Sequence, residues 1–131
     1  MKLLVGYNGS AASRRALDLA MAQAKAVPDA FVYVVTSMEG GAGEKLVEIQ
    51  DAEEKLQWAK EFLSAEKIAC DAVQLARGLN PGEDIVLFAE ENEVDHIFLG
   101  VEKRSRTSKL LLGSTAQYVI LRGPCPVTTT K

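Results

Sequence analysis

Leu3-Leu4-Val5-Gly6-Tyr7-Asn8-Gly9-Ser10 joins a short apolar run to a turn and then to a helix start. Its apolar residues are typical of a buried strand, and Asn8-Gly9 is typical of a tight turn. Ser10 or Ser13 can cap the helix that follows, and Ala16, Leu17, Ala20, Met21 and Ala24 recur there at helical spacing. The stretch therefore predicts one strand–turn–helix unit.

The same order of elements recurs along the whole chain. The patterns predict strands at 31–35, 72–75, 96–99 and 126–130, and helices over 44–66 and 81–92 and from Gly113 to Gly123. Asn80-Pro81-Gly82-Glu83 supplies a cap, a proline for the first helical position and a capping-box glutamate. Strands alternating with helices need crossover connections, so the predicted fold is α/β: a five-stranded, mostly parallel open sheet with helices on both faces. The 131 residues suit one domain, residues 1–131.

Composition excludes several classes of protein. Of the residues, 47% are hydrophobic and 25% charged, and the net charge of −3 argues against broad binding to nucleic acids or anionic membranes. Cys70 and Cys125 form no CxxC pair, so neither a disulfide framework nor a zinc site is expected, and a reducing compartment fits best. The first apolar run is too short for a signal peptide, and no run approaches the ~20 residues of a membrane span. We therefore expect a cytoplasmic protein with no membrane partner.

The sheet predicts where a ligand binds, because open α/β sheets hold ligands beyond the carboxyl ends of their strands. The segments at that edge are 7–10, 36–43 and 100–114. The last of them contains four cations, Lys103, Arg104, Arg106 and Lys109, just before Gly113-Ser114. A cationic loop over a helix N-terminus is suited to a phosphate group. A solvated surface turn is the alternative interpretation of the same residues.

Catalytic signatures are missing from the sequence. Neither GxxxxGK[ST] nor GxGxxG occurs, which argues against a P-loop enzyme or an ordinary dinucleotide-binding dehydrogenase. His96 is the single histidine, and no paired carboxylates, metal cluster or nucleophile–base pair accompanies it. We therefore predict that the protein is not an enzyme, with at most slow incidental ATP hydrolysis, and that it has no metal site of its own.

Both ends of the chain resemble the universal stress proteins. The opening, Leu3 to Ser10 followed by Ser13-Arg14-Arg15-Ala16-Leu17, is similar to the start of that family. The segments Asp95 to Gly100, Leu110 to Ala116, and Pro124-Cys125-Pro126-Val127 are similar to its end. The resemblance implies a single universal stress protein domain with the Rossmann-like fold of the adenine nucleotide α-hydrolase type.

The resemblance also implies a nucleotide site. The family's nucleotide-binding branch carries Gly-x-x-Gly, nine residues, then Gly-Ser or Gly-Thr. Here Gly100 and Gly113-Ser114 match at intact spacing, but Lys103 replaces the second glycine, and Asn8 replaces the usual aspartate near the ribose. Lys103 either blocks close backbone approach or supplies an ammonium to the phosphates. The residues implied for binding ATP or AMP, with or without Mg²⁺, are Tyr7, Asn8, Val35, Gly100, Lys103, Arg104, Gly113, Ser114 and Thr115.

The family's C-terminal edge strand commonly pairs with its copy in a second subunit. The resemblance therefore implies a homodimer through Pro126, Val127, Thr128 and Thr129. The predicted function is a dimeric, adenine-nucleotide-binding regulatory module of the stress response. The alternative is a dimerising interaction protein whose nucleotide pocket is degenerate because of Lys103 and Asn8.

Overall fold

The computed structural model describes residues 1–38, 46–101 and 113–131. The elements, in chain order, are β1 (Lys2–Gly6), α1 (Ala11–Ala26), β2 (Phe31–Ser37), α2 (Leu46–Ala65), β3 (Ala69–Leu75), α3 (Pro81–Glu91), β4 (His96–Gly100), α4 (Ser114–Arg122) and β5 (Val127–Thr130). Strands and helices alternate, as the sequence predicts. Of the predicted loop at 38–43, only Met38 lies within the described residues.

The five strands form one sheet in the order β3-β2-β1-β4-β5, and every pairing is parallel. The chain first runs outward from β1 to β3 and then returns to place β4 on the other side of β1. The order therefore reverses beside β1, and the crevice at its carboxyl end is the place where such sheets bind ligands.

Each face of the sheet has its own hydrophobic core, because side chains of a strand alternate between faces. Leu3 and Val5 pack with α1 and α2, whereas Leu4 packs with α3 and α4. All three are fully buried. The predicted α/β fold, with helices on both faces of the sheet, is confirmed. The alternation of side chains also determines the face from which each residue at the carboxyl edge can be reached.

Helix α1 lies unusually close to β4. A Cβ atom on Gly100 would come within 2.5 Å of the Ser13 nitrogen and 2.6 Å of the Ala12 carbonyl oxygen. A glycine at the end of β4 therefore lets the first turn of α1 rest directly on the strand.

The predicted helix starts agree with the observed caps. Ser10 caps α1, since its side-chain oxygen accepts from the Ser13 N–H at 3.1 Å. Asn80 caps α3 by accepting from the Glu83 N–H at 2.9 Å, and its amide also donates to the Glu83 carboxylate at 2.8 Å. These caps hold the loops that lead from β1 and β3 into their helices.

Strand β3 is longer than predicted, because it begins at Ala69 rather than Ala72. Its first residues pair in register with Phe31 to Tyr33 of β2. Among the described residues β3 is an edge strand, where exposed polar residues such as Asp71 are tolerated. Over the same described ranges, no helix has the length and apolar character to cross a membrane.

Candidate functional site

A cleft of about 290 Å³ opens at the carboxyl edge of the sheet, beside the reversal of strand order. Its walls come from the ends of β1, β2 and β4 and from the N-terminal residues of α1, α3 and α4. The described lining residues are Gly6, Tyr7, Asn8, Ser13, Val35, Thr36, Ser37, Pro81, Ile85, Leu99, Gly100, Val101, Gly113, Thr115 and Ala116. Six of the nine residues that the sequence predicts for nucleotide binding therefore lie around one cavity.

The turn after β1 is held by its own side chains. The Asn8 carbonyl oxygen Oδ1 accepts from the Ser10 N–H at 3.0 Å, and the following Gly9 has a φ of +80°. Ser13 Oγ donates to the Ser10 carbonyl at 3.0 Å and accepts, at 3.4 Å, from the Asn8 N–H. Because Oδ1 is fixed in this way, the exposed amide of Asn8 presents Nδ2, which can only donate hydrogen bonds.

Tyr7 contributes its backbone to the cleft rather than its ring. The side chain is 3% exposed and stacks on Trp58 of α2, with ring centroids 6.3 Å apart and planes 9° apart. Its N–H donates to the Val35 carbonyl at 2.9 Å, and its own carbonyl accepts from Thr36 Oγ1. Alternation along β1 puts position 7 on the α1–α2 face, so the ring is not positioned to stack on a base in the cleft.

Gly100 lines the cleft, but its contact with the α1 backbone explains why this position is a glycine. The Cβ of any other residue would overlap with Ala12 and Ser13. The match of Gly100 to the family motif thus has a packing cause.

The N-terminus of α4 faces the same cavity. Gly113 is its N-cap residue, with φ −62° and ψ 159°, and no side chain of the described residues caps the helix there. Gly113, Thr115 and Ala116 line the cleft, whereas Ser114 is exposed and does not. A helix N-terminus has first-turn N–H groups without intrahelical partners and the positive end of the helix dipole, and both favour an anion. Lys103 and Arg104, with Arg106 and Lys109, lie outside the described residues.

Thr36 and Ser37, at the end of β2, line the cleft although sequence reasoning did not select them as binding residues. Ser37 Oγ donates to Asp84 Oδ2 at 2.9 Å, and the Asp84 side chain is completely buried. Arg77 Nε meets the other carboxylate oxygen at 2.7 Å. A polar residue at each strand end is the one signal that could have indicated Ser37. Nothing in the spacing indicates the pairing of Arg77 with Asp84.

Arg77 joins two carboxylates. Its Nη1 lies 2.6 Å from Glu91 Oε1, and its Nη2 donates to the Asp84 backbone carbonyl at 3.3 Å. Hydrogen bonding to Glu91, which outweighs desolvation and is aided by Asp84, raises the pKa of Arg77 above its usual range. The guanidinium therefore stays charged and compensates the buried Asp84.

Other candidate groups lie elsewhere. His96 is at the opposite end of β4, where Nε2 is 2.7 Å from Thr128 Oγ1 and Nδ1 is 3.4 Å from Gln23 Nε2. Burial lowers the pKa of His96, and burial together with the charge of Asp95 raises the pKa of the Cys125 thiol. Both features are those of packed structural residues. Over residues 1–38, 46–101 and 113–131, no three His, Cys, Asp or Glu side chains cluster as metal ligands would.

The predicted dimer residues lie along the outer edge of the sheet. Val127 to Thr129 belong to β5, and Pro126 precedes it. The Pro126 and Thr130 carbonyls accept from the N–H groups of Ile97 in β4 and of Val101 just after it, at 3.0 and 2.7 Å. Backbone groups of Val127 and Thr129 consequently point away from β4, because alternate residues of a strand face opposite neighbours.

A parallel open sheet with a cleft at the reversal of strand order defines an α/β protein of the doubly wound class. The family model described as the universal stress protein family matches residues 1–131, and the chain belongs to that family.

Individual relatives agree with this assignment. A universal stress protein structure from Archaeoglobus fulgidus is 37% identical, has a TM-score of 0.90 and aligns over 100% of this chain and 98% of that one. Another Archaeoglobus fulgidus universal stress protein, solved in complex with dAMP, is 32% identical with a TM-score of 0.84 and the same coverage. A universal stress protein of Methanocaldococcus jannaschii is 39% identical over 51 residues, which are 39% of this chain and 30% of that relative.

Proposed function

We propose that this chain binds an adenine nucleotide, ATP or AMP, in the cleft and acts as a dimeric regulatory module of the stress response. The observation that carries the proposal is the N-terminus of α4, which no side chain of the described residues caps, at the cavity beside the reversal of strand order. The dAMP complex of a relative with 32% identity over the whole chain supports the choice of an adenine nucleotide.

Different residues of the cleft would bind different parts of the nucleotide. The first turn of α4 and the cations between residues 103 and 109 would take the phosphates. The Nδ2 group of Asn8 would donate to a ribose hydroxyl, while the family's usual aspartate would accept from it. ATP would arrive with or without Mg²⁺ on its phosphates.

Among the described residues β5 is an edge strand, and this supports a two-fold assembly because a second copy would satisfy the backbone groups of Val127 and Thr129. The two cysteines are free thiols, which fits the reducing cytoplasm.

Calorimetric titration with ATP and AMP, with and without Mg²⁺, tests the proposal. We expect saturable binding by the wild-type protein and none by a Gly113→Val, Ser114→Ala double variant. Ser64→Ala, on the exposed end of α2, is the matched control and should bind normally. At a hundredfold excess over Kd, the nucleotide should stabilise the fold by about 2.7 kcal/mol.

A wild-type protein that gives neither heat nor a thermal shift at millimolar nucleotide would contradict nucleotide binding. That result would favour the dimerising interaction protein with a degenerate pocket. In that case the Lys103→Gly variant should gain binding that the natural chain lacks.

A further inference from the structure

Three side-chain hydroxyls that line the described part of the cleft donate their hydrogen to the protein: those of Ser13 and Thr36 to backbone carbonyls, and that of Ser37 to a buried carboxylate. Ser37 Oγ lies at the end of β2 and donates its hydrogen to Asp84 Oδ2 at 2.9 Å. Asp84 is completely buried in the first turns of α3, and its other oxygen faces Arg77 Nε at 2.7 Å. The Arg77 side chain is 32% exposed, so solvent reaches the arginine of this ion pair but not the aspartate.

The ion pair determines what Ser37 can do. An ionised carboxylate only accepts hydrogen bonds, and a serine hydroxyl has one hydrogen. Since Asp84 takes that hydrogen, Ser37 has only lone pairs left for a ligand. It can accept from a donor in the cleft and repels another acceptor.

Ser37 lies at the end of the cleft where an uncharged group fits. Pro81 and Ile85 form apolar walls beside it. The first turn of α3 is side-chain capped and carries Glu83 and Asp84, which disfavour a phosphate there. The first turn of α4, which no side chain of the described residues caps, is the favourable position for phosphates, so a nucleotide would direct its base towards Ser37.

We infer that Ser37, positioned by Asp84 and Arg77, is a specificity-determining residue that selects 6-aminopurines over 6-oxopurines. The exocyclic amine of adenine donates a hydrogen bond, which Ser37 accepts. The 6-oxo group of hypoxanthine or guanine offers only lone pairs, which face those of Ser37. This inference rests on the proposed nucleotide function and adds the group that reads the base.

ATP and ITP form a suitable ligand pair because they differ only on the six-membered edge of the base. We expect the wild-type protein to prefer ATP, and the ATP-to-ITP affinity ratio to fall roughly tenfold in Ser37→Ala, as for one lost hydrogen bond and one relieved repulsion. Ser37→Thr keeps the hydroxyl and should keep the ratio. Ser64→Ala is the control for a serine outside the cleft. Thermal unfolding of each variant checks that it is folded.

The outcomes separate the two proposals. If wild type binds ATP but Ser37→Ala leaves the ratio unchanged, the role of Ser37 is wrong and the nucleotide site stands. If Ser37→Ala weakens ATP and ITP equally, the hydroxyl contributes to binding but does not select the base, and the inference is also overturned. If wild type binds neither nucleotide, both proposals fail.

Discussion

Single residues of this chain have causes that only the folded molecule reveals. The sequence motif marks Gly100 as a phosphate-loop glycine, whereas the structure shows the α1 backbone resting on it. The same holds for Tyr7. Its position directly after β1 is typical of a residue that contacts a ligand, but its ring is buried against Trp58. Sequence alone gives the edge of the sheet at which a residue lies, and packing determines which part of it faces the cleft.

Gly100→Ala tests the packing explanation. The added Cβ would overlap the Ala12 and Ser13 backbone, which cannot yield as a flexible side chain can, so we expect a loss of about 1–3 kcal/mol. Urea unfolding measures it. Gly78→Ala is the comparison, since Gly78 has φ +76° with open space around it and the cost there is conformational only, about 1 kcal/mol. A Gly100→Ala protein as stable as wild type would contradict the close approach.

His96 should make stability depend on pH near neutrality. Gln23 Nε2 carries only hydrogens, so its bond to His96 Nδ1 requires an unprotonated nitrogen, and burial also lowers the pKa of His96. The unfolded chain then binds a proton near pH 6.5 while the folded chain does not. Stability should fall as pH drops below about 6.5 and level off below the folded pKa, with a slope no steeper than about 1.4 kcal/mol per pH unit.

The chain has one histidine, so a variant isolates this effect. Chemical unfolding of wild type and His96→Gln between pH 8 and 5 would be compared. The difference in their free energies of unfolding should shrink as pH falls, because only wild type has the group. Parallel curves would show that His96 takes the same charge in both states.

At the scale of elements, local sequence predicts most of the fold. Caps, glycines and apolar spacing locate each helix near its observed bounds, since these signals act within a few residues. The start of β3 is missed because its pairing with β2, not its own polar composition, makes it a strand. The Ser37–Asp84–Arg77 cluster is missed for the same reason: its three members come from β2, α3 and the loop between β3 and α3.

A capping side chain at the start of α4 should stabilise the fold and weaken nucleotide binding. Gly113→Asp would give α4 a side-chain cap, and any residue can adopt the backbone conformation at position 113. The carboxylate would also interact favourably with the positive end of the helix dipole. We expect a gain of about 0.5–1 kcal/mol in the free energy of unfolding. ATP affinity should fall at least tenfold, because the carboxylate repels and displaces the phosphates.

Urea unfolding and calorimetry measure the two effects separately. Asn80→Ser, which keeps a cap on α3, is a control that should change neither the free energy of unfolding nor the ATP affinity by much. A Gly113→Asp protein that binds ATP as well as wild type does would place the phosphates away from α4.

At the scale of the whole molecule, the sheet has a free edge at β5 among the described residues. The β4–α4–β5 segment connects this edge to the cleft, because β4 and α4 contribute to the walls of the cleft and β5 forms the edge. His96 links β4 to β5 through Thr128 Oγ1, so the outer strand is tied to the core. An unpaired edge strand is a suitable surface for a second copy of the chain.

Thr129→Pro tests the proposed dimer without breaking the monomer. The Thr129 N–H points away from β4, so its loss should leave the β4–β5 ladder intact. In a strand pairing with a second copy, the missing N–H and the added ring should convert the wild-type dimer to a monomer, as measured by sedimentation velocity. Thr129→Val keeps the N–H and should remain dimeric. Should Thr129→Pro sediment as a dimer, the subunits associate through another surface and β5 is left as an uncovered edge.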